Sequence, residues 1–334
     1  MDIKEVIKKY FSNSLNLSWK EYGNGSINLT YKITVKEEAK DVSYILQKMN
    51  PTMKFKVMED IELITKHLNS KNIKTQTVVK TITGKMFVED GSYWWRMLTY
   101  LEGITFSAIE SLSQAKKVGT FVGIFHTALL DCVCEFKHKI PYFHDTSGLM
   151  DKINSTLEEY KDTGRYLKLK DLAENIISSY KKISKGVELP LRIIHGDLKI
   201  SNILFDETGR EVLALIDLDT FMYSTIAIEM GDALRSWCMP EGEDTEMARF
   251  DLDIYNTALN GYISTAKFLT PEERNSISYG VKLITLELAA RFLIDALRQS
   301  YFTLDSSKYQ SLFIQNKKRA ENQFEFFRQF SQQF

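Results

Sequence analysis

Three oxygen-bearing side chains occur at short intervals in the middle of the chain. Asp197 and Asn202 lie within the segment Ile193–Phe205, and Asp217 follows the apolar run Val212–Ile216. Phosphoryl transfer needs a carboxylate that orients the attacking hydroxyl and accepts its proton, together with oxygen ligands that hold Mg²⁺ on the phosphates. The pattern therefore predicts Asp197 as the general base and Asn202 and Asp217 as metal ligands.

Each of these residues alone also has a structural explanation. A single aspartate before a strand is usually a cap or turn residue, and Asp217 with Asp219 could form an exposed strand end. The complete ordered set, with apolar strands on either side of it, favours the chemical interpretation.

The elements that must position these side chains follow from hydrophobic periodicity. In the first hundred residues, alternation over 27–35 predicts a strand, residues 42–49 and 93–101 predict two more, and spacings of three and four over 51–69 predict a helix. This part of the chain is typical of a small antiparallel sheet with one helix.

Beyond Gly103 the pattern becomes mainly helical. Helices are predicted over 112–131, 147–161, 170–185 and 281–298, and three short strands over 191–194, 203–205 and 212–216 surround the acidic residues. The fold class expected from this order of elements is α+β.

Composition excludes several classes of protein. The 334 residues carry 43 Lys and Arg against 44 Asp and Glu, so a general nucleic-acid binder, which needs clustered basic charge, is not expected. No apolar run approaches the length of a membrane span, and the N-terminus does not resemble a signal peptide. We therefore expect a cytoplasmic protein without a membrane or nucleic-acid partner.

The tight spacing of Cys132 and Cys134 disfavours a zinc site.

The motif around Asp197 also carries a resemblance. His195-Gly196-Asp197, Asn202 and Ile216-Asp217 are similar to the catalytic loop and metal-binding segment of the aminoglycoside phosphotransferase and choline kinase-like family. Within that family the N-acetylhexosamine 1-kinases are the most similar group. The further matching segments are Tyr44–Gln47, Ile140–Thr146, Ile216–Thr220, Gly231–Arg235 and Arg291–Asp295.

The resemblance implies a protein-kinase-like bilobal fold with a small antiparallel-sheet lobe and a larger, mainly helical lobe. It places a nucleotide-binding lobe over 1–98, a hinge over 99–103 and a catalytic and substrate-binding lobe over 104–334. It implies transfer of the γ-phosphoryl group of ATP, with Mg²⁺, to a small-molecule hydroxyl. The first expectation for that acceptor is a sugar, at the anomeric 1-OH of an N-acetylhexosamine.

The resemblance also assigns nucleotide-binding residues. Gly23, Asn24, Gly25 and Ser26 would form the loop over the phosphates, although a plain hairpin turn is the alternative. Tyr100 and Leu101 would meet the adenine at the hinge, with ordinary core packing as the alternative. Gln47 occupies the strand position where many members of the family carry Lys or Arg. Ser26 stands where the hexosamine kinases have His, which leaves the sugar open.

Substrate contacts are expected, by the same resemblance, from Asp197, Asp219, Arg291 and Tyr301. Arg291 has a structural alternative, because Glu287, Arg291 and Asp295 could form an ion-pair ladder along one helix. Two further functions are kept as alternatives. The same fold could act on choline, ethanolamine, an aminoglycoside or another small alcohol, or the chain could be an inactive nucleotide-binding module.

Overall fold

The computed structural model describes residues 1–11, 16–23, 28–36, 41–51, 53–140, 143–183 and 188–334. The chain divides into two compact units. The first comprises residues 1–103 and 131–139, and the second comprises residues 104–130 and 140–334. The chain therefore leaves the first unit after Gly103, returns to it at Asp131 and leaves again after Lys139.

The first unit is built on an antiparallel sheet of six strands in the order β1-β2-β3-β6-β4, with β5 also paired to β6. This confirms the predicted small antiparallel lobe. Its elements are α1 (Ile3–Tyr10), β1 (Asn16–Glu21), β2 (Leu29–Lys36), β3 (Val42–Met49), α2 (Val57–Ser70), β4 (Val78–Val79), β5 (Phe87–Asp90) and β6 (Tyr93–Thr99).

Both helices of this unit differ from the prediction. Helix α2 begins at Val57 rather than at residue 51, because the N–H of Met53 donates to the carbonyl of Asn50 and closes a turn there. Helix α1 was not predicted. Its buried Val6 and Ile7 pack with Leu46 and neighbouring residues of one sheet face to form the core of this unit.

The second unit is mainly helical, as predicted. Its helices are α3 (Leu112–Ala128), α4 (Thr146–Tyr160), α5 (Gly164–Leu167), α6 (Lys170–Ile183), α7 (Ile226–Trp237), α8 (Leu252–Thr265), α9 (Pro271–Arg298) and α10 (Leu312–Gln333). Among the described residues, no helix combines the length and the apolar character that crossing a bilayer requires.

Helix α9 is the central helix of this unit. It begins at Pro271, well before the predicted residue 281, because Thr270 and Glu273 form a capping box at its start. Leu286, Leu293 and other apolar side chains of α9 pack with α4, α6 and α10 in the main hydrophobic core. Close to Gly280 the backbone of α7 approaches so tightly that a Cβ would lie 1.8 Å from the Ala227 oxygen.

Two short antiparallel pairs frame the predicted catalytic segment. Strand β7 (Arg192–Ile194) pairs with β10 (Met222–Ser224), and β8 (Ile203–Phe205) pairs with β9 (Val212–Leu215). The three strands predicted here are confirmed, whereas β10 was not predicted because its residues Met222–Ser224 do not form an apolar run as those of β8 do. The connections 195–202 and 216–221 therefore run between the ends of both pairs.

The segment 131–139 is fixed to the first unit by a buried carboxylate. Asp60 of α2 is 4% exposed and accepts hydrogen bonds from the backbone N–H groups of Lys137 and His138, each at 2.8 Å. Asp131 adds ion pairs with Lys71 and His67. Because Asp60 is buried, its two charge-assisted hydrogen bonds contribute to this attachment.

Replacing Asp60 by Ala removes the acceptor of the Lys137 and His138 N–H groups. We expect the D60A variant to lose about 3 kcal/mol of unfolding free energy, the scale of two hydrogen bonds to a charged group. Urea denaturation measures this loss. The exposed neighbour Glu59 provides the control, since E59A should change the unfolding free energy by less than about 0.5 kcal/mol. Equal effects of the two substitutions would contradict this account.

Candidate active site

The peptide backbone just before Asp197 is held entirely by side chains. The N–H groups of His195 and Gly196 donate to the two carboxylate oxygens of Glu229 at 2.8 and 2.9 Å. The hydroxyl of Thr220 donates to the His195 carbonyl at 2.7 Å, and Nε2 of His144 lies 3.1 Å from the Gly196 carbonyl. All four polar backbone atoms of these two residues are therefore satisfied, which fixes the direction in which Asp197 leaves the loop.

Glu229 is the buried centre of this arrangement. It lies on α7, is 1% exposed, and also contacts Nε2 of His126 from α3 at 3.2 Å. Burial raises the pKa of Glu229, but the hydrogen bonds with His126 and the Gly196 N–H lower it, and the net pKa lies below the ordinary value. Glu229 thus remains an ionised acceptor for the two backbone N–H groups.

The His195 side chain connects the two halves of the site. Its Nδ1 accepts the N–H of Asp197 at 3.3 Å, and its Nε2 donates to the carbonyl of Ile216 at 3.1 Å. These partners assign the neutral ring with the proton on Nε2. The N–H of Ile216 in turn donates to the carbonyl of Asn202 at 2.9 Å. Asp197, Asn202 and the strand end before Asp217 are thereby brought together.

Asp197 is anchored through only one of its carboxylate oxygens. Its Oδ2 accepts a hydrogen bond from Nζ of Lys199 at 2.7 Å and another from Nδ2 of Asn202 at 3.0 Å. Its Oδ1 makes no hydrogen bond with any residue that the structure describes. The side chain is 26% exposed, so Asp197 presents a fixed, accessible carboxylate oxygen that can accept a proton.

Asp217 and Asp219 stand at the turn that follows β9. Asp217 has a left-handed backbone (φ 64°), which is uncommon for a residue with a side chain. Asp219 lies in the short 3₁₀ helix Leu218–Thr220 and is 5% exposed. Backbone strain of this kind is concentrated at functional sites.

Lys199 is a site residue that the sequence interpretation overlooked. Partial burial lowers the pKa of Lys199, but the carboxylates of Asp197, Asp217 and Asp232 raise it by more. The net pKa therefore lies above the ordinary value. The signal was available, because Lys199 is two residues after the predicted base and its backbone is extended. Side chains two residues apart in extended chain share a face.

A cluster of paired charges borders this site. Asp232 accepts hydrogen bonds from Arg235 at 3.0 and 3.2 Å within α7, and Arg235 also pairs with Glu243. On α9, Arg291 pairs with Glu287 at 2.7 Å, as the structural alternative predicted. Burial raises the pKa of Asp232, but the positive charges of Arg235 and, to a smaller extent, Arg291 lower it. The net pKa of Asp232 lies below the ordinary value.

The predicted ion-pair ladder does not extend to Asp295. Instead, this carboxylate accepts the backbone N–H groups of Ser300, Tyr301 and Phe302 and the side-chain amide of Asn316. Tyr301 is 74% exposed, and no contact joins it to Asp197 within the described part of the chain. Asp295 thus shapes the segment that presents Tyr301.

The nucleotide-binding residues that the resemblance assigned lie in the first unit. Gly23 has a positive φ of 77°, whereas Asn24, Gly25 and Ser26 lie outside the described residues. Leu101 is half-buried. Tyr100 contacts Lys32, whose Nζ lies 3.7 Å from its ring centre, and its hydroxyl lies 3.4 Å from that of Tyr22.

Gln47 has a charged neighbour that the sequence did not reveal. Arg96 lies directly opposite Gln47 on β6, is 2% exposed, and donates through Nε to the Gln47 amide oxygen at 2.9 Å. The Gln47 amide nitrogen donates to Thr30 on the other side. A positively charged side chain, that of Arg96, therefore lies beside Gln47 on the adjacent strand.

Comparison with known proteins identifies the family. A model of the phosphotransferase enzyme family matches residues 18–262, and the chain belongs to that family. It is an ATP-dependent phosphotransferase with an alcohol group as acceptor.

Solved structures show the same protein-kinase-like fold. An aminoglycoside phosphotransferase from Alicyclobacillus acidocaldarius is 14% identical with a TM-score of 0.63, and the match covers 100% of this chain and 96% of that one. A choline kinase from Cryptosporidium parvum is 12% identical with a TM-score of 0.62, covering 99% and 91%. An amicoumacin kinase in complex with AMP-PNP, Ca²⁺ and Ami is 13% identical with a TM-score of 0.62, covering 96% and 94%.

The tightness of the loop at Gly196 can be tested directly. Gly196 has φ +82°, and a Cβ there would lie 2.6 Å from the Thr220 oxygen. We expect G196A to displace the loop and lower kcat by at least about tenfold. Gly91 has φ +63° but open space around it, so G91A should lose only about 1 kcal/mol of stability and keep its kcat. Steady-state kinetics that showed equal kcat values for the two variants would contradict the proposed fit.

Proposed function

We propose that the chain transfers the γ-phosphoryl group of ATP to the anomeric 1-OH of an N-acetylhexosamine, with Asp197 as the general base. The observation that carries this proposal is the asymmetry of the Asp197 carboxylate. Oδ2 is anchored by Lys199 and Asn202, whereas Oδ1 is accessible and has no hydrogen bond among the described residues. A base must keep one oxygen within hydrogen-bond reach of the hydroxyl it deprotonates.

Asp197, Lys199 and Asn202 have different roles in the proposed reaction. Asp197 Oδ1 accepts the acceptor's hydroxyl proton while the hydroxyl oxygen forms a bond to the γ-phosphorus and the bond to the leaving ADP oxygen breaks. Lys199 and Asn202 hold Oδ2, so the carboxylate keeps its orientation as it becomes neutral. The Lys199 ammonium also places a positive charge where negative charge accumulates on the phosphoryl oxygens.

The donor set suits a hard divalent cation. Asn202 commits its Nδ2 to Asp197, which leaves its amide oxygen as an acceptor, and Asp217 adds a carboxylate. The Lys199 ammonium already lies among Asp197, Asp217 and Asp232, so this place favours positive charge. Mg²⁺ takes few protein ligands when it also binds phosphates. We propose Asn202 and Asp217 as its ligands, and the ion would neutralise phosphate charge.

For ATP, the proposal keeps the residues that the resemblance implies. Gly23 with Asn24, Gly25 and Ser26 would cover the phosphates, and Tyr100 and Leu101 would contact the adenine. Gln47 would approach the phosphates as a neutral amide that is held in place by Arg96.

Charge pairing supports a neutral acceptor. Two carboxylates border Asp197, and each forms an ion pair: Asp232 with Arg235, and Glu287 with Arg291. Neither is therefore free to bind the cationic group of choline or an aminoglycoside. Arg291 also lies over the Phe143 ring at 5.4 Å, which places a rigid donor group beside an apolar surface. A sugar ring needs both kinds of contact. We propose Arg291, Asp219 and Tyr301 as further contacts of the sugar.

Replacing Asp197 by Asn removes the base and retains the shape. We expect D197N to lower kcat by about 10²–10⁴-fold with Mg²⁺-ATP and an N-acetylhexosamine, while the KM for ATP changes little. Asp206, which accepts hydrogen bonds in an exposed turn of the same unit, provides the control, and D206N should keep its kcat. Turnover of D197N near that of the parent would refute the role.

The same assay with a panel of acceptors tests the substrate class. N-acetylhexosamines should be phosphorylated, and ³¹P NMR of the product should locate the phosphate on C1. Turnover confined to choline, ethanolamine or an aminoglycoside would overturn the sugar assignment and leave the role of Asp197 intact. ATP binding without transfer to any of these acceptors would favour the inactive module.

A further inference from the structure

His144 occupies an unusual backbone position beside the catalytic loop. Its φ of 55° lies in the left-handed region, which costs a residue with a side chain about 1 kcal/mol or more. It directly precedes Asp145, the N-cap of α4, and its side chain is 6% exposed. A strained backbone and a buried imidazole ring therefore occur at the same residue.

Both ring nitrogens of His144 face acceptors. Nε2 lies 3.1 Å from the carbonyl oxygen of Gly196. Nδ1 lies 3.4 Å from Oε1 of Glu287, at ion-pair distance, and has no hydrogen-bond partner within the described part of the chain. A neutral ring has one N–H and would direct a lone pair at one of these oxygens. The geometry therefore favours the doubly protonated imidazolium.

The charged groups around the ring agree with this assignment. Glu287 faces it from α9, and this carboxylate also pairs with Arg291 and accepts the Thr146 hydroxyl at 2.6 Å. Asp232, paired with Arg235, faces it from α7. Burial lowers the pKa of His144, but Glu287, Asp232 and the Gly196 carbonyl raise it by more. The pKa of Glu287 lies below its ordinary value, since His144, Arg291 and Thr146 outweigh its burial.

We propose that His144 is a positioning residue that, as an imidazolium, holds the Gly196 carbonyl and so fixes the orientation of Asp197. The proposal rests on the proposed function, because it assigns Asp197 as the base. Gly196 O and Asp197 N belong to one peptide group, whose N–H is held by His195. If the ring loses its proton, the attraction to Glu287 is lost and this peptide is held less firmly.

The direction of the pH effect follows from the raised pKa of His144. The ion pair is complete below the ordinary histidine value of 6.5 and is lost as pH rises through the higher pKa of the folded protein. We therefore expect kcat to fall at alkaline pH as His144 loses its proton. Substituting Glu287 by Gln removes the facing carboxylate and should move that decline to lower pH.

Nitrogen-15 NMR of the imidazole ring tests the protonation state without reference to activity. In the unmodified protein His144 should be doubly protonated at pH 6.5 and titrate above that value. In E287Q its midpoint should fall by about one pH unit or more. Glu273, which is buried on the same helix and pairs with Arg192, provides the matched control, and E273Q should leave the midpoint unchanged. A neutral His144 at pH 6.5 in the unmodified protein would overturn the proposal, even if neither variant folds.

Kinetics then test the positioning role. Asn tolerates the left-handed backbone but is too short to reproduce both ring contacts, so H144N should lower kcat by about 10–100-fold with a smaller change in KM. The alkaline decline of kcat should shift in E287Q together with the NMR midpoint, and E287Q should cause no such shift in the H144N background. An H144N enzyme with the parent's kcat and pH profile would contradict the proposal. Retained turnover of D197N would instead refute the proposed function and leave the NMR result standing.

Discussion

The requirement that buried backbone polar groups be satisfied governs this structure. A sharp turn before Asp197 leaves the N–H and carbonyl groups of His195 and Gly196 without partners in any helix or sheet. Side chains from α7, from the turn after β9 and from the segment before α4 supply those partners. Because each partner comes from a different part of the second unit, the direction of the Asp197 side chain is determined by the folding of the whole unit.

The helices around the loop pack closely against each other. Helix α7 contributes Glu229 and Asp232, α9 contributes Glu287 and Arg291, and the two backbones approach closely at Gly280. Trp237 at the end of α7 donates to the carbonyl of Leu198 at 2.7 Å. Helix α7 therefore contacts the loop both before and after Asp197, so a displacement of α7 would also move Asp197.

The sequence was informative wherever the signal is local. Three features could be predicted because each depends on residues close together in the chain. They are the short strands around Asp197, Asn202 and Asp217, the antiparallel sheet and the helical second unit. Glu229, His144 and Arg96 could not, because their roles depend on which side chains tertiary folding brings together. Asp232 shows the limit clearly. An aspartate in this stretch is by residue type a candidate helix cap, but Thr225 caps α7 and Asp232 lies within the helix, paired with Arg235.

The central claim is that the chain offers one anchored and one accessible oxygen of Asp197 to the acceptor. A crystal structure with Mg²⁺, a non-hydrolysable ATP analogue and an N-acetylhexosamine measures this most directly. The account predicts the 1-OH oxygen within about 3 Å of Oδ1, with Lys199 and Asn202 still bound to Oδ2. An acceptor hydroxyl that instead displaced Lys199 and Asn202 from Oδ2, or that lay out of reach of both oxygens, would contradict it.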